Sequence, residues 1–316
     1  HSNSVAIGAS ALATQNAGAD AYNVAMGYNA GTAVTTGVYN TLIGGNAGDA
    51  VTTGGYNTSV GGNSLTTLTT GADNTGIGYG ALYAATTSSD NTAVGHGSQE
   101  NTTTGASNTS VGADSLKQNT TGEHNVAVGA TALDAEVAGH KNVAIGQDSL
   151  GSQSNSGSTN VYNTAVGYAS GAAVTTGIQN TLIGGLAGDV LTDADYNVAL
   201  GVSALGADTL GSKSVALGYS TLTNQNFTTA TDTYNTAVGY TAGSSVTTAN
   251  QSTLIGALSG DALTSGHTNT ALGYLTLSAD TLGNQSVAIG TGALQSQNFT
   301  TATTTYNTAV GVNAGA

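Results

Sequence analysis

Residues that could perform acid–base or nucleophilic chemistry are few in this chain. Its 316 residues include five His, three Lys and no Cys or Arg. No GxSxG nucleophile motif is present, and the spacing does not predict the Ser-His-Asp arrangement of a catalytic triad. Four of the His fall at several different positions of a repeating pattern: His96, His124, His140 and His267. We therefore expect no catalytic residue and interpret these His as surface or ladder substitutions.

Two patterns could hold ions. Asp49, Asp189 and Asp261 share one repeat position, and some β-rolls bind calcium through Gly- and Asp-rich nonapeptides. That nonapeptide is absent and the three Asp are at least 72 residues apart, so we favour solvated turn residues over carboxylates that meet between neighbouring chains. Residues 206–214 resemble a phosphate loop with Lys213 displaced by one position, and Gln285 stands at the equivalent place. We predict no metal and no cofactor.

Two stripes of side chains could form binding surfaces. Thirteen of the fourteen Tyr lie just before or just after a repeated phrase, as Tyr39 and Tyr28 do. A Tyr stripe could bind sugars, but we favour edge packing over the backbone. Thr-Thr pairs such as residues 35–36 also recur, and regularly spaced Thr could bind ice. The pairs are interrupted at residues 137–138, 154–155 and 192–193, so we favour a turn preference.

These residues lie between copies of a short phrase that recurs eighteen times along the chain. The phrase ends at Gly8, Gly27, Gly44, Gly61, Gly78, Gly95, Gly112, Gly129, Gly146, Gly167, Gly184, Gly201, Gly218, Gly239, Gly256, Gly273, Gly290 and Gly311. Thirteen of the intervals are 17 residues, three are 21 and one is 19. Self-similarity at this period predicts a solenoid rather than a globular enzyme.

The phrase itself has the pattern of a short strand. We number repeat positions from its Gly, so that position −1 is the residue before it. Position −1 is aliphatic or, once, Met26, position −2 is mostly Ala, and position −3 is always Val or Thr. Position −4 is Asn in fourteen repeats and Ser in four. An alternation with a period of two predicts a β-strand, and we expect its aliphatic and β-branched side chains to supply the buried face.

A second stretch follows the Gly. Position +3 is always Ala, Ser or Thr, and position +4 is Leu in ten repeats, Gly in seven and Gln99 in one. Gly at position 0 permits a bend into this stretch, so each repeat is predicted to form one coil of a β-solenoid, with ladders of Val/Ile, Asn and Ala. Because one such coil buries little apolar surface, we expect several chains to pack side by side, in close approach at position +3.

Groups of four of these repeats form a larger repeat in the second half of the chain. From Gly146 the intervals run 21, 17, 17 and 17 residues and then repeat, a period of 72. A longer loop is therefore expected once every four coils. The two Phe of the chain, Phe227 and Phe299, fall inside such loops. Because insertions in solenoids often carry the binding face, we predict that these loops contact a receptor.

Composition excludes several classes of partner. The net charge is −14, which disfavours binding to nucleic acid and to anionic membrane surfaces. No stretch approaches the ~18 consecutive apolar residues that a membrane-spanning helix needs. The chain begins at His1 within a repeat, and we expect it to be one stretch of a longer polypeptide.

The repeated phrase resembles those of two families of fibrous proteins. Asn-Ser-Val-Ala-Ile-Gly at residues 3–8 and Gln-Ser-Val-Ala-Ile-Gly at residues 285–290 resemble the head repeats of YadA-like trimeric autotransporter adhesins. The form Tyr-Asn-Thr-Ala-Val-Gly-Tyr at residues 162–168, with its 17-residue period, is similar to repeats of phage tail fibres. The resemblance covers essentially the whole chain. It implies a left-handed parallel β-roll, a homotrimer and a role in attachment.

The sequence therefore predicts an all-β protein, a parallel β-solenoid of about eighteen 17-residue coils in a homotrimeric rod. We expect one continuous repeat domain over residues 1–316, with a uniform part at 1–146 and the 72-residue super-repeat at 147–316. The expected function is that of an extracellular phage tail fibre shaft, involved in attachment to a host receptor or glycan. A bacterial trimeric surface adhesin head is the alternative, an ice-binding solenoid is less favoured, and an enzyme is not expected.

Overall fold

The computed structural model describes residues 3–316, which form an all-β parallel β-solenoid without a helix. It has about eighteen turns spaced by about 17 residues, and the predicted fold class is confirmed. The chain divides into two compact units, one ending at Tyr162 and one running from Asn163 to Ala316. The division at residue 146, which follows the insertion pattern, stays a prediction.

The first unit contains nine three-residue strands, one in each coil, and two strands of two residues. They are β1 (Val5–Ile7), β2 (Val24–Met26), β3 (Thr41–Ile43), β4 (Thr58–Val60), β5 (Thr75–Ile77), β6 (Thr92–Val94), β7 (Thr109–Val111), β8 (Val126–Val128), β9 (Gly139–His140), β10 (Val143–Ile145) and β11 (Thr159–Asn160).

The second unit repeats this plan with nine three-residue strands and four strands of two residues. They are β12 (Thr164–Val166), β13 (Thr181–Ile183), β14 (Val198–Leu200), β15 (Gly211–Ser212), β16 (Val215–Leu217), β17 (Thr231–Asp232), β18 (Thr236–Val238), β19 (Thr253–Ile255), β20 (Thr270–Leu272), β21 (Gly283–Asn284), β22 (Val287–Ile289), β23 (Thr303–Thr304) and β24 (Thr308–Val310).

Within each unit the three-residue strands pair in parallel, with equal repeat positions opposite one another. Val5 of β1 lies opposite Val24 of β2, and Ala199 of β14 lies opposite Ala216 of β16. The predicted stacking of like over like is therefore confirmed. A marker Gly closes each strand in a conformation that a side chain would not tolerate. Gly44 has φ +137°, and a Cβ there would lie 2.5 Å from the carbonyl oxygen of Gly61.

The Asn at position −4 form the predicted ladder inside the solenoid. Asn57 and Asn74 are fully buried. The Asn57 Oδ1 accepts from the backbone N–H of Asn74 at 3.0 Å, and the Asn74 Nδ2 donates to the carbonyl of Ser88 at 2.8 Å. In the second unit, Asn180 accepts from the N–H of Asn197 at 2.9 Å. Each side chain thus satisfies backbone groups of two coils, which removes the cost of burying an amide.

The expected direction of the strand faces is wrong. The central residue of the strand, at position −2, points into the coil, and Ala25 and Leu42 are fully buried. In both units, none of the aliphatic side chains at position −1 is buried, and Ile7, Ile77 and Leu200 are 53%, 39% and 47% exposed. The side chains at position −3 are likewise half-buried or exposed. Alternation identifies the two faces of the strand, but the narrow interior of the coil has room only for the face with the smaller side chains.

The expected close approach between chains at position +3 is also wrong. From Ala30 to Ala293 these side chains are buried within their own coil, for example Ala47 and Ser64 at 0% exposure. They are small because the interior is crowded by the Leu side chains that follow at position +4.

At position +4, Leu and Gly alternate according to which side chain fills the interior of the coil. The backbone there is left-handed, with φ +53° at Leu65 and +55° at Gly48. At five of the Gly at this position, a Leu at position −2 of the same coil or the next fills the space instead. A Cβ on Gly31 would lie 2.6 Å from Leu42, and one on Gly48 would lie 2.7 Å from it. The pattern recurs in the second unit, where a Cβ on Gly243 or Gly260 would lie 2.8 Å from Leu254.

Candidate functional site at the inserted loops

Each of the three 21-residue intervals forms a loop that pairs with the preceding coil through two short parallel strands. In the first unit, β11 pairs with β9, so that Asn160 lies opposite His140. In the second unit, β17 pairs with β15 and β23 pairs with β21. The insertions are therefore fixed to the solenoid, and they present equivalent positions in equivalent geometry.

A buried carboxylate anchors each loop. In the second loop, Asp208 is fully buried, and its Oδ1 accepts from the N–H groups of Gly211 at 3.1 Å and Phe227 at 3.0 Å. Its Oδ2 accepts from Gln225 Nε2 at 2.5 Å. The Gln225 Oε1 in turn accepts from Asn235 at 2.8 Å. Because every partner donates to an oxygen, the charge is held by hydrogen bonds that fix where the loop leaves the coil.

The same anchor recurs at the other two loops. Glu136 accepts from Gln153 at 2.7 Å and from the N–H of Asn155 at 3.0 Å. Asp280 accepts from Gln297 at 2.6 Å. These acids stand at position +7 of the coil before the loop, where seven other coils have Val or Leu, and they are spaced by 72 residues.

These anchors were not predicted from the sequence, although a signal was present. Gln stands at position +7 in the four lengthened intervals and in no other: Gln15, Gln153, Gln225 and Gln297. A Gln that recurs at one repeat position in the lengthened intervals alone indicates a buried hydrogen-bond network rather than random drift.

The two Phe occupy the inner side of their loops. Phe227 is only 8% exposed, and Phe299 is half-buried. The outer surface of the second loop is formed by residues 228–230, which are exposed, and that of the third by residues 300–302. Receptor contact at these loops stays a prediction, with the side chains after each Phe as the accessible ones.

A polar pocket lies beside the first loop, with a volume of about 270 Å³. It is lined by Glu123, His124, His140, Lys141, Ser158 and Asn160. Strands β9 and β11 place His140 and Asn160 side by side, and the loop brings Ser158 over them. The structure thus brings together two of the four His that the sequence left scattered.

Hydrogen bonds define the tautomer of the neutral His140 ring. Its Nδ1 accepts from the backbone N–H of Glu123 at 2.9 Å, so in the neutral ring the proton is on Nε2. That Nε2 lies 2.6 Å from the Ser158 Oγ and donates to it. This is the reverse of a catalytic triad, in which Nδ1 donates to a carboxylate and Nε2 accepts from the Ser hydroxyl.

Lys141 is the cation of this pocket. Its Nζ donates to the Tyr162 hydroxyl at 3.2 Å and lies 5.1 Å from the centre of that ring. Of the three Lys, all within residues 3–316, Lys141 is the one without a carboxylate ion pair. In the second loop Lys213 binds Asp232 at 2.5 Å, and this hydrogen bond raises the pKa of Lys213 and lowers that of Asp232.

The two other His lie on the coil surface or edge. His96 stacks on Tyr79 with ring centres 5.7 Å apart and lies 3.9 Å from Asp114. His267 accepts from the N–H of Asn250 at 3.2 Å through Nδ1.

The Asp at position +5 lie in separate coils. Burial raises the pKa of Asp49, Asp189 and Asp261 above the usual range, against backbone hydrogen bonds that lower it. Asp134 shares their position, and its pKa is raised by burial and by the nearby charges of Asp148 and Asp114. Among residues 3–316, no group of three or more His, Asp or Glu could hold a metal ion.

The Tyr and Thr stripes form regular columns. Tyr22, Tyr39 and Tyr56 stack with ring centres 5.1 Å apart and stay about half exposed. The first Thr of each Thr-Thr pair donates to the next coil, as Thr52 does to the carbonyl of Thr69 at 3.0 Å. These hydroxyl donors are therefore used within the fold.

Comparison of the chain with protein-family models and with curated protein sequences finds no match. In the part of the chain that the structure describes, no helix is long and apolar enough to cross a lipid bilayer.

Proposed function

We propose that this chain is a segment of a homotrimeric fibre, the shaft of a phage tail fibre involved in attachment to a host cell. The observation that carries the proposal is the column of aliphatic side chains at position −1. In the first unit Ile43, Val60, Ile77, Val94 and Val111 follow one another on successive coils, and none of them is buried. An exposed apolar surface that continues over several coils marks an association site.

The partner that best fits this apolar column is a second copy of the same chain. Parallel coils repeat the same side chains at the strand spacing of ~4.8 Å, so two copies in register bring like columns together along their length. Homo-oligomers with closed symmetry are the usual outcome of such self-complementary surfaces. The number three comes from the resemblance of the repeats to two families of trimeric fibres, and the thinness of each coil agrees with it.

The coil gives such a fibre a regular scaffold. The Asn ladder and the parallel strands tie each coil to the next, and repeat proteins of this kind gain stability from every neighbouring pair. Recognition belongs to the three inserted loops, because they interrupt the repeat and are fixed by buried anchors. The Thr columns donate into the backbone, so we do not propose ice binding.

Two measurements test this function. Sedimentation equilibrium of the purified chain is expected to give three times the 30.6 kDa of one chain, and a monomer would contradict the fibre. Antibodies raised against the chain are expected to label the tails of virions in electron micrographs. Labelling of a bacterial surface without virions would favour the alternative, a trimeric adhesin head.

A further inference from the structure

The pocket at the first loop differs from the rest of the surface in its charge. The chain carries a net charge of −14 with three Lys, and two of these Lys are paired with carboxylates. Within residues 3–316 Lys141 has no carboxylate ion pair, and it faces the same pocket as His124 and His140. An unpaired cation at a concave polar site in an acidic protein indicates an anionic group as its ligand.

The remaining groups of the pocket suit hydroxyl groups. Because His140 donates to the Ser158 Oγ, the hydrogen of that hydroxyl is free to point into the pocket. Asn160 offers an amide donor and a carbonyl acceptor, and Glu123 offers acceptors alone. The pocket has no aliphatic side chain in its lining, which disfavours an apolar ligand.

The size of the pocket and the aromatic residue beside it indicate more closely which class of ligand the pocket binds. Its volume of about 270 Å³ lies just below the range of about 300–1,000 Å³ for drug-sized ligands and suits one sugar ring. Tyr162, whose hydroxyl accepts from Lys141, is 47% exposed. Its ring offers an apolar face beside the polar groups, as amphipathic aromatic residues do at binding sites.

The other two loops serve as internal controls. The residues equivalent to Lys141, Asn160 and Tyr162 are Lys213, Asp232 and Tyr234 in the second loop, where Asp232 neutralises the Lys. In the third loop they are Gln285, Thr304 and Tyr306, which carry no charge. The first loop is thus the one that keeps an available cation on the same scaffold.

We propose that the pocket at the first loop binds one carboxylate-bearing sugar residue, with Lys141 on its carboxylate and Glu123 and Asn160 on its hydroxyl groups. This deepens the proposed function, on which it rests for its biological role, by naming the class of host glycan. Ser158 and His140 form a fixed wall that orients the ring.

The test uses the purified chain, with glucuronic acid as the probe, glucose as its neutral counterpart and inorganic phosphate as a bare anion. Binding is measured by calorimetry and by saturation-transfer NMR at low salt. We expect glucuronic acid to bind at least tenfold more tightly than glucose or phosphate. Lys141→Gln, which copies the third loop, and Asn160→Asp, which copies the second, should each weaken this binding at least tenfold.

Lys213→Gln is the matched control and should leave the binding of glucuronic acid unchanged. Equal binding of glucose or of phosphate, absence of binding, or an equal loss in the Lys213→Gln variant would overturn the proposal. Thermal melting and sedimentation of each variant separate loss of the site from loss of the fold. If the chain is trimeric and labels virions but does not bind the probe, the pocket assignment fails and the proposed function stands.

Discussion

At the scale of single residues, the Asp at position +5 carry an electrostatic cost. Asp49, Asp189 and Asp261 are half-buried, and burial raises the pKa of each. One carboxylate oxygen of Asp49 and one of Asp261 are buried without a hydrogen-bond partner in the described part of the chain. The folded state therefore binds a proton more tightly than the unfolded state. Stability falls as the pH rises from the unfolded pKa through the raised folded pKa.

Replacement of these carboxyl groups by amides should remove that cost. The triple variant Asp49→Asn, Asp189→Asn and Asp261→Asn is expected to melt at a higher temperature than the natural chain at pH 7. The gain should vanish near pH 3, where the carboxyl groups are protonated in both states. Thermal melting followed by circular dichroism across this pH range measures the difference.

A general reduction of negative charge could also stabilise an acidic chain. The matched control is Asp20→Asn, Asp90→Asn and Asp193→Asn, which changes three exposed Asp and the same net charge. A control that gains as much as the first triple variant would show that net charge, rather than burial, sets the effect.

At the scale of the coil, the exchange between Leu and Gly makes a prediction about packing. Leu42 fills the space beside Gly31 and Gly48, so Leu42→Ala should leave a cavity. Large-to-small changes of this kind cost about 3–5 kcal/mol. Adding Gly31→Leu and Gly48→Leu to it reproduces the arrangement of the coils that have Leu at position +4. This triple variant should recover part of the loss.

The recovery is expected to be incomplete, because Leu in a left-handed conformation costs about 1–2 kcal/mol per residue. Gly48→Leu alone should destabilise the chain, since its side chain would meet Leu42. Urea unfolding of the four chains gives the comparison. If the triple variant is less stable than Leu42→Ala, the two arrangements are not equivalent.

Much of the coil could be predicted from the sequence, but not which face is inside. The period of Gly8 and its equivalents determines the register, and the Asn at position −4 indicate a ladder. An alternation with a period of two residues defines two strand faces, but it does not show which of them is buried. The preference of aliphatic side chains for burial predicted the wrong face. A coil closed by Leu65 at position +4 has room only for Ala or Ser at position −2.

The candidate site was less predictable, because it depends on contacts between coils. His140 and Ser158 are 18 residues apart, and neither belongs to a known motif. The pairing of β9 with β11 brings them together, and that pairing exists because Glu136 and Gln153 hold the loop. The Gln at position +7 was the available signal, and it identifies the loop anchor rather than the pocket.

At the scale of the whole molecule, the column of side chains at position −1 leaves apolar surface in contact with water when the chain is alone. That surface contributes no hydrophobic free energy unless another chain covers it. Each unit holds nine such side chains, one per coil, and each would contribute roughly 25 cal/mol for every Å² removed from water. The sum grows with the number of coils, because each added coil extends the same surface. A long repeat therefore favours association even where one coil contributes little.

Charge placed in this column should abolish the association that we propose. Ile77→Asp with Val111→Asp changes two side chains that are each 39% exposed in the single chain. The double variant should therefore destabilise the association between chains more than the fold of one chain. The control, Thr53→Asp with Thr87→Asp, adds the same charge at exposed turn positions. Sedimentation equilibrium should show loss of the trimer in the first variant and a trimer in the second. A trimer in both would place the contact between chains on another face, because buried unpaired carboxylates would not be tolerated there.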